Sequence, residues 1–260
     1  MIKHFFDDNW IKASRKAEGS WASEVLKNIN GSGTTYLNCI SRWFDEFPLS
    51  NKQKKYLKVS LKNFDNNVHL GAVNELSWWK LWTSRNFELN PIPTGKGSTP
   101  DFYFKLGKQC LIFEVTTLNQ SEDEHCREIN FSRNNSVRRI IAKAVKEKIK
   151  QIQYGYHKKV SAVLVLFNYD EWTGFGSQFN KSIKNKEFMS QMPNELSAVI
   201  YVEKFVLNGL PHLKKDSIVI AKNPSACFPL AVEIKSTFNS VFSNGEWINC
   251  DIALDEHASM

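Results

Sequence analysis

The chain has 260 residues, 42% of them hydrophobic, and its 18 Phe, 8 Trp and 7 Tyr can fill a sizeable core. It carries no run of 18 apolar residues, no signal-peptide pattern and no CxxC pair among five cysteines, so we expect a cytoplasmic protein without membrane spans or disulfides. The formal net charge is +7, and nine Lys or Arg stand against one acid between Arg133 and Lys159, so the basic surplus lies in one stretch.

Residues 1–66 carry apolar side chains at three- and four-residue spacing, which predicts an N-terminal helical region. We expect this region to be a helical subdomain or lid, and residues 67–260 to form a second domain. The predicted helices are Ile2–Ala17, Trp21–Ile29, Tyr36–Phe47 and Lys52–Phe64, with Ser50 capping the last and Asn30–Thr35 forming a loop.

The stretch His69–Thr83 has apolar residues around nearly its whole circumference, which is typical of a buried helix. Glu75 interrupts this pattern on a face that it shares with Gly71, Trp79 and Trp82. A carboxylate is rarely buried unless it is paired or bound to a metal. Glu75 is therefore either a candidate ligand or a residue at the helix margin, bonded to a backbone amide or an arginine.

Two runs of alternating character, Asp101–Leu106 and Cys110–Thr116, flank Gly107, which predicts a β-hairpin with a two-residue loop. In that register Asp101 lies opposite Glu114 on one face of the sheet, and an apolar set of side chains covers the other face. The remaining predicted pairs are Leu106 with Gln109 and Tyr103 with Ile112.

This register places two carboxylates, those of Asp101 and Glu114, with their Cβ atoms ~5 Å apart. Like charges so close destabilise a sheet unless a shared proton or a bound cation offsets them. Carboxylate oxygens are the ligands that a hard divalent cation prefers, so the pair is a candidate metal site. Two other interpretations stay open, a solvated pair on an exposed face and a different register.

After a predicted loop over Asn119–Asn135, a helix is predicted over Ser136–Gln153 with Ser136 as its N-cap. At 100° per residue, Lys148 falls near the centre of the apolar face and Gln151 at its edge. Burying a lysine is costly unless its ammonium reaches solvent or meets anions, so Lys148 either snorkels outward or points at the two carboxylates. The apolar face comprises Val137, Ile140, Ile141, Ala144, Val145, Ile149 and Ile152, and the solvent side comprises Arg139, Lys143, Lys146 and Lys150.

Val160–Tyr169 is almost continuously apolar, as is typical of a strand buried on both faces. A hairpin, a helix and such a strand predict a βαβ crossover with a parallel strand pair. The later elements are predicted as a helix over Phe179–Gln191, strands over Ser197–Val206 and Ser217–Ala221, and a helix over Ala231–Phe242.

In this order the residues resemble the PD-(D/E)xK phosphodiesterase superfamily, over about residues 66–206. The matching residues are Glu75 on a helix, Pro100-Asp101 opening one strand and Glu114-Val115-Thr116 on the next. The resemblance implies the restriction-endonuclease-like α/β fold, a mixed sheet core flanked by helices. Thr116 stands where the family has a lysine, and Lys148 on the following helix is the natural substitute.

The resemblance implies a nuclease that hydrolyses phosphodiester bonds with Mg²⁺ or Mn²⁺. We expect an endonuclease acting on DNA in restriction or defence against foreign DNA, with RNA left open as a substrate. A homodimer or a partner subunit is also left open, and no membrane partner is expected.

The resemblance further implies roles for individual residues. Asp101, Glu114 and the Val115 carbonyl would bind the metal, and Glu75 would bind a second ion or hold a water. Lys148 would stabilise the attacking hydroxide or the charge on the phosphate, with Gln151 orienting the nucleophile and Thr116 bonding water. Backbone phosphates would be contacted by Arg139, Lys143, Lys146 and Lys150, independently of sequence and more weakly as salt rises.

Two functions of other classes compete with this one. A non-catalytic nucleic-acid-binding or protein-interaction module on the same fold is favoured by Thr116 in place of the family lysine. An unrelated α/β protein would leave Asp101 and Glu114 as surface charges. Binding of Mg²⁺ or Mn²⁺ is expected of a nuclease and is not expected of either alternative.

Overall fold

The computed structural model describes residues 6–17, 32–93, 98–118, 133–168, 176–207, 210–214, 218–242 and 247–249. The chain divides into two compact units. The first comprises Met1–Phe87, Val206–His212 and Asn249–Met260, and the second comprises Glu88–Phe205 and Leu213–Ile248. Within the described part of the chain, no helix combines the length and the apolar character needed to cross a bilayer.

Helices make up the described part of the first unit before Phe87. Ser50 caps the third helix through a capping box with Gln53, as its position in the sequence predicts. The fourth helix is buried around most of its circumference, which confirms the prediction for His69–Thr83. The helices are α1 (Asp8–Ser14), α2 (Ser32–Glu46), α3 (Asn51–Leu61) and α4 (Asn66–Thr83).

Two predictions for this unit are corrected or left aside. The helix α2 begins at Ser32, so the predicted Asn30–Thr35 loop is wrong over its last four residues. The predicted helix Trp21–Ile29 lies outside the described residues.

The strands form a mixed β-sheet in the order β1-β2-β3-β4-β5-β6-β8, with β7 paired to β5. Strands β1 to β4 and β7 lie wholly in the second unit. The strand β3 runs antiparallel to β2 and parallel to β4, and β4 runs parallel to β5. The parallel pair confirms the predicted βαβ crossover. The strands are β1 (Leu89–Pro91), β2 (Phe102–Leu106), β3 (Gln109–Thr117), β4 (Ser161–Asn168), β5 (Ala198–Leu207), β6 (Leu210–Lys214), β7 (Val219–Lys222) and β8 (Trp247–Asn249).

Helices pack on both faces of this sheet. On one face Ile112 and Leu164 share a buried cluster with residues of the helices that follow β3 and β4. On the other face the ring of Phe113 lies 6.2 Å from that of Phe238. The chain is therefore a mixed α/β protein. The helices of this unit are α5 (Arg133–Glu147), α6 (Ile149–Lys158), α7 (Gly176–Lys184), α8 (Lys186–Ser190) and α9 (Val232–Val241).

The β2–β3 hairpin has the predicted register. Leu106 pairs with Gln109 across a two-residue turn, and Tyr103 pairs with Ile112. Gly107 opens the turn with φ of 58°, a conformation that favours glycine and that a type II′ hairpin turn requires at this position.

The predicted helix Ser136–Gln153 differs from the observed one at two points. It begins at Arg133, so Ser136 is inside the helix and is not its N-cap, and the predicted loop Asn119–Asn135 is wrong over its last three residues. It is also interrupted at Lys148, where φ and ψ are −98° and 8°. The amide of Lys148 still donates to the Ala144 carbonyl at 3.1 Å, so the interruption is a kink between α5 and α6.

Gly155 allows α6 to lie close against the sheet. A Cβ atom at this position would lie 2.8 Å from Ile112 Cδ1 and 3.1 Å from Ala162 Cβ, closer than side-chain atoms pack. The absence of a side chain therefore sets the distance between α6 and strands β3 and β4.

We predict that Gly155→Ala destabilises the protein although alanine favours helices. Overpacking of this kind costs about 1–3 kcal/mol, which lowers Tm by roughly 2–4 °C per kcal/mol in a chain of this size. Gly71→Ala is the matched control, because Gly71 is also helical and a Cβ there meets nothing within 4 Å. Calorimetry should show Gly71→Ala neutral or slightly stabilising, and equal Tm values for the two variants would contradict the assignment.

Candidate active site

Glu114 is a buried carboxylate in the middle of the sheet. Its strand, β3, lies between β2 and β4, so the side chain retains only 4% of its exposure. Its Oε1 accepts a hydrogen bond from Lys148 Nζ at 2.7 Å. Its Oε2 is buried and has no hydrogen-bond partner among the described residues. One oxygen of this carboxylate is thus buried without a hydrogen bond to the described residues.

Asp101 lies one residue before β2, opposite Glu114, and two hydrogen bonds hold it to the neighbouring strand. Its amide donates to the Phe113 carbonyl at 3.1 Å. Its Oδ2 accepts from the Val115 amide at 2.7 Å. These bonds fix the carboxyl group beside Glu114, as the predicted register requires.

Lys148 reaches the carboxylates from the kink between α5 and α6. Its side chain is 27% exposed, and its ammonium contacts Glu114. The prediction that Lys148 points at the carboxylate pair rather than away from it is confirmed for Glu114. The carbonyl of Lys148 accepts from the Ile152 amide at 3.0 Å, so the turn after the kink holds the backbone in place.

The two carboxyl groups are harder to ionise than in water. Burial raises the pKa of Asp101 to about 6, against the lowering effect of the Val115 amide and Lys148. Burial and the charge of Asp101 raise the pKa of Glu114 to about 8, against the lowering effect of Lys148. Burial opposes the charge on Lys148, but Glu114 and Asp101 together outweigh it and raise the pKa of the ammonium. Perturbed groups in such contact are typical of functional sites.

The other predicted site residues are carried by four different elements. Thr116 is two residues beyond Glu114 on the same face of β3, and it is half-buried. Gln151 is half-buried on α6, three residues after Lys148. Glu75 is half-buried on α4 in the first unit. The predicted phosphate contacts Arg139, Lys143, Lys146 and Lys150 are all exposed on α5 and α6, as the helical periodicity predicts.

A buried polar network on the same sheet face was not predicted from the sequence. Asn168 Nδ2 donates to the Tyr201 hydroxyl at 2.9 Å, and that hydroxyl donates to Glu203 Oε1 at 3.2 Å. Strand register puts these residues on the face of Glu114, toward the carboxyl ends of β4 and β5. Polar residues at the ends of the two apolar runs are the sequence signal that could have indicated it.

The carboxylate pair is the candidate place for a hard divalent cation, as the sequence predicts. Among the described residues no three His, Cys, Asp or Glu side chains come together as a metal-binding group, so the site offers two carboxylates. Mg²⁺ is commonly held by one or two carboxylates while water and phosphate complete its ligands. The buried, unbonded Oε2 of Glu114 is the group that a cation would satisfy, and the Val115 carbonyl is a further oxygen donor.

The raised pKa values predict that the metal-free protein loses stability as pH rises. A carboxyl group whose folded-state pKa is raised stabilises the fold below its unfolded pKa, near 4, and this contribution is lost through about pH 6 and about pH 8. In EDTA, we expect Tm to fall by roughly 10 °C or more between pH 5 and pH 8.5, since one pKa unit corresponds to about 1.4 kcal/mol and the two raised pKa values together span about four units above pH 5.

Asp101→Asn is the matched variant for this measurement. The asparagine Oδ1 can still accept from the Val115 amide, but the charge that raises the pKa of Glu114 is gone. Its Tm should therefore depend less on pH, and it should exceed the Tm of the original protein at pH 8.5. Parallel pH profiles for the two proteins would show that the pair does not carry the effect.

Comparisons with protein-family models, with curated proteins and with solved structures found no match to this chain. Its function is therefore inferred from the arrangement of Asp101, Glu114 and Lys148 and from the chemistry that such an arrangement can perform.

Proposed function

We propose that the second unit is a metal-dependent nuclease that hydrolyses phosphodiester bonds in DNA. The observation that carries the proposal is the environment of Glu114. This carboxylate is buried beside Asp101, it is bonded to Lys148 through one oxygen, and its other oxygen has no bonding partner among the described residues. Two carboxylates and a lysine around one point are the groups that the PD-(D/E)xK resemblance implies.

The sheet supports the finer part of the proposal, a restriction-endonuclease-like fold. The carboxylates lie on an antiparallel hairpin, and the crossover helices α5 and α6 lead from it to the parallel strand β4. The element order is the one that the resemblance implies. A role in restriction or defence against foreign DNA is an implication of the same resemblance.

The metal fits at the carboxylate oxygens of Asp101 and Glu114 and at the Val115 carbonyl. When bound there, a divalent cation supplies charge neutralisation at the phosphate and activation of water.

The protein's own groups then position the substrate and the proton donors. Glu114 holds Lys148 Nζ, and the role proposed for this ammonium is to donate to a phosphate oxygen as negative charge develops there. The Val115 amide holds the Asp101 carboxylate in one orientation. Thr116 and Gln151 lie next to these groups in sequence and offer neutral hydrogen-bonding side chains for water.

The exposed basic face of α5 and α6 is the proposed contact with the phosphate backbone. Its residues lie on the same two helices as Lys148 but point to solvent, so the backbone contact and the reacting phosphate would be served by one structural element. The face comprises Arg139, Lys143, Lys146 and Lys150.

One specific observation favours a non-catalytic module instead. The residue two positions after Glu114 is Thr116, so the strand itself carries no lysine. Such a module would bind nucleic acid without cleaving it under any metal condition.

We predict that Glu114→Gln lowers metal-dependent cleavage of supercoiled plasmid by at least about 100-fold, because the amide cannot serve as an anionic ligand or hold the Lys148 ammonium by charge. The assay compares Mg²⁺, Mn²⁺ and EDTA, with single-stranded DNA and RNA as further substrates. Glu195→Gln is the control, since Glu195 is a half-buried carboxylate of the same unit that bonds Gln153. Undiminished cleavage by Glu114→Gln would overturn the proposal.

We predict that Lys146→Ala with Lys150→Ala weakens DNA binding without sequence preference. The plot of log K against log salt has a negative slope, and each lost phosphate contact makes that slope less steep by about 0.9. Fluorescence anisotropy on duplex DNA in EDTA, with Glu114→Gln as the common background, measures the slope. Lys184→Ala with Lys186→Ala is the control, because both lysines are exposed on α7 and α8. Equal slopes for the two double variants would show that Lys146 and Lys150 do not contact the DNA backbone.

A further inference from the structure

A cavity of about 350 Å³ lies at the end of the sheet opposite to the carboxylate pair. It opens where β3 and β4 begin, next to Leu111 and Ser161. Glu114 is three residues farther along β3, which is ~10 Å at the rise of a strand. Its lining includes Lys108, Leu111, Lys159, Cys227, Phe228 and Ile234.

The charged side chains that line the cavity are all positively charged. Lys108, from the β2–β3 turn, and Lys159, from the end of α6, are both exposed at the cavity, and no lining residue is acidic. The acid Glu233 lies next to the lining, where Gln109 Nε2 donates to its Oε2 at 2.8 Å. Two ammonium groups without a carboxylate between them suit an anion.

The rest of the wall is apolar and partly aromatic. Phe228 is half-buried at the cavity, and its ring lies 5.7 Å from the ring of Tyr156, which is 40% exposed. Leu111 and Ile234 are buried behind the surface. Ligand cavities of a few hundred Å³ typically combine such an apolar wall with a few polar groups that orient the ligand.

We propose that this cavity binds a nucleotide-sized organic anion, with a flat apolar ring against Phe228 and a phosphate between Lys108 and Lys159. A nucleoside monophosphate has the size, the ring and the charge that the wall requires. The site is formed by residues that take no part in the proposed nuclease centre, so it holds whether or not the protein cleaves DNA.

The test uses the full chain in EDTA with adenosine 5′-monophosphate as the probe, by titration calorimetry. Adenosine and inorganic phosphate, each titrated alone, measure how much the ring and the phosphate contribute to binding. We expect saturable binding of one monophosphate per chain, and affinities at least about tenfold weaker for adenosine and for phosphate alone. The absence of saturable binding, or phosphate binding as tightly as the monophosphate, would overturn the proposal.

Variants then locate the ligand. Lys108→Ala with Lys159→Gly removes both charges, and Lys159 has φ of 57°, which glycine adopts without strain. This double variant should bind the monophosphate at least about tenfold more weakly while its circular dichroism spectrum is unchanged. The control double variant, Lys184→Ala with Lys186→Ala, should bind the monophosphate as the original protein does. Equal binding by both pairs would overturn the proposal.

Cys227 gives a readout at the cavity itself, because it is an exposed, unpaired thiol in the lining. We expect the monophosphate to slow alkylation of Cys227 by iodoacetamide, measured by mass spectrometry of the peptide. We also expect Lys148→Ala to bind the monophosphate normally. An unprotected Cys227, or loss of binding in Lys148→Ala, would place the ligand elsewhere and overturn the proposal.

Discussion

The ion pair between Glu114 and Lys148 is the constraint on which the rest of the second unit depends. Glu114 lies on an internal strand under a helix, so its ionised form is costly there, and burial raises its pKa to about 8 although Lys148 opposes that rise. Buried ion pairs of this kind seldom stabilise a fold more than apolar side chains of equal volume would. The pair is therefore better understood as a chemical centre that the surrounding sheet and helices tolerate than as a structural bond.

The part of this centre that follows from local rules could be predicted from the sequence. Alternating side chains and Gly107 at the turn determine the hairpin register, and the register alone places Asp101 opposite Glu114. Helical periodicity likewise separates Lys148 from the basic residues on the opposite side of its helix. Each of these predictions needs only neighbours within one element or one hairpin.

What could not be predicted depends on contacts between distant segments. The kink at Lys148 and the close approach at Gly155 become visible only when α6 packs on β3 and β4. The start of α5 at Arg133 has no sequence signal as clear as Ser136 offers. The cavity joins Lys108, Lys159 and Phe228 from three separate segments, and no linear pattern describes such a set.

Because residue 116 is a threonine, the strand β3 carries no lysine of its own, and this affects how the position of the site's cation is fixed. The ammonium of the site is carried on a helix whose distance from the sheet is set by a single missing methyl group at Gly155, two turns away. Strand residues are held by their ladder bonds, whereas a helix can slide or tilt as a rigid body. The distance between Lys148 Nζ and Glu114 thus depends on the position of α6 on the sheet. A partner that binds the outer surface of α6 and shifts the helix would change that distance.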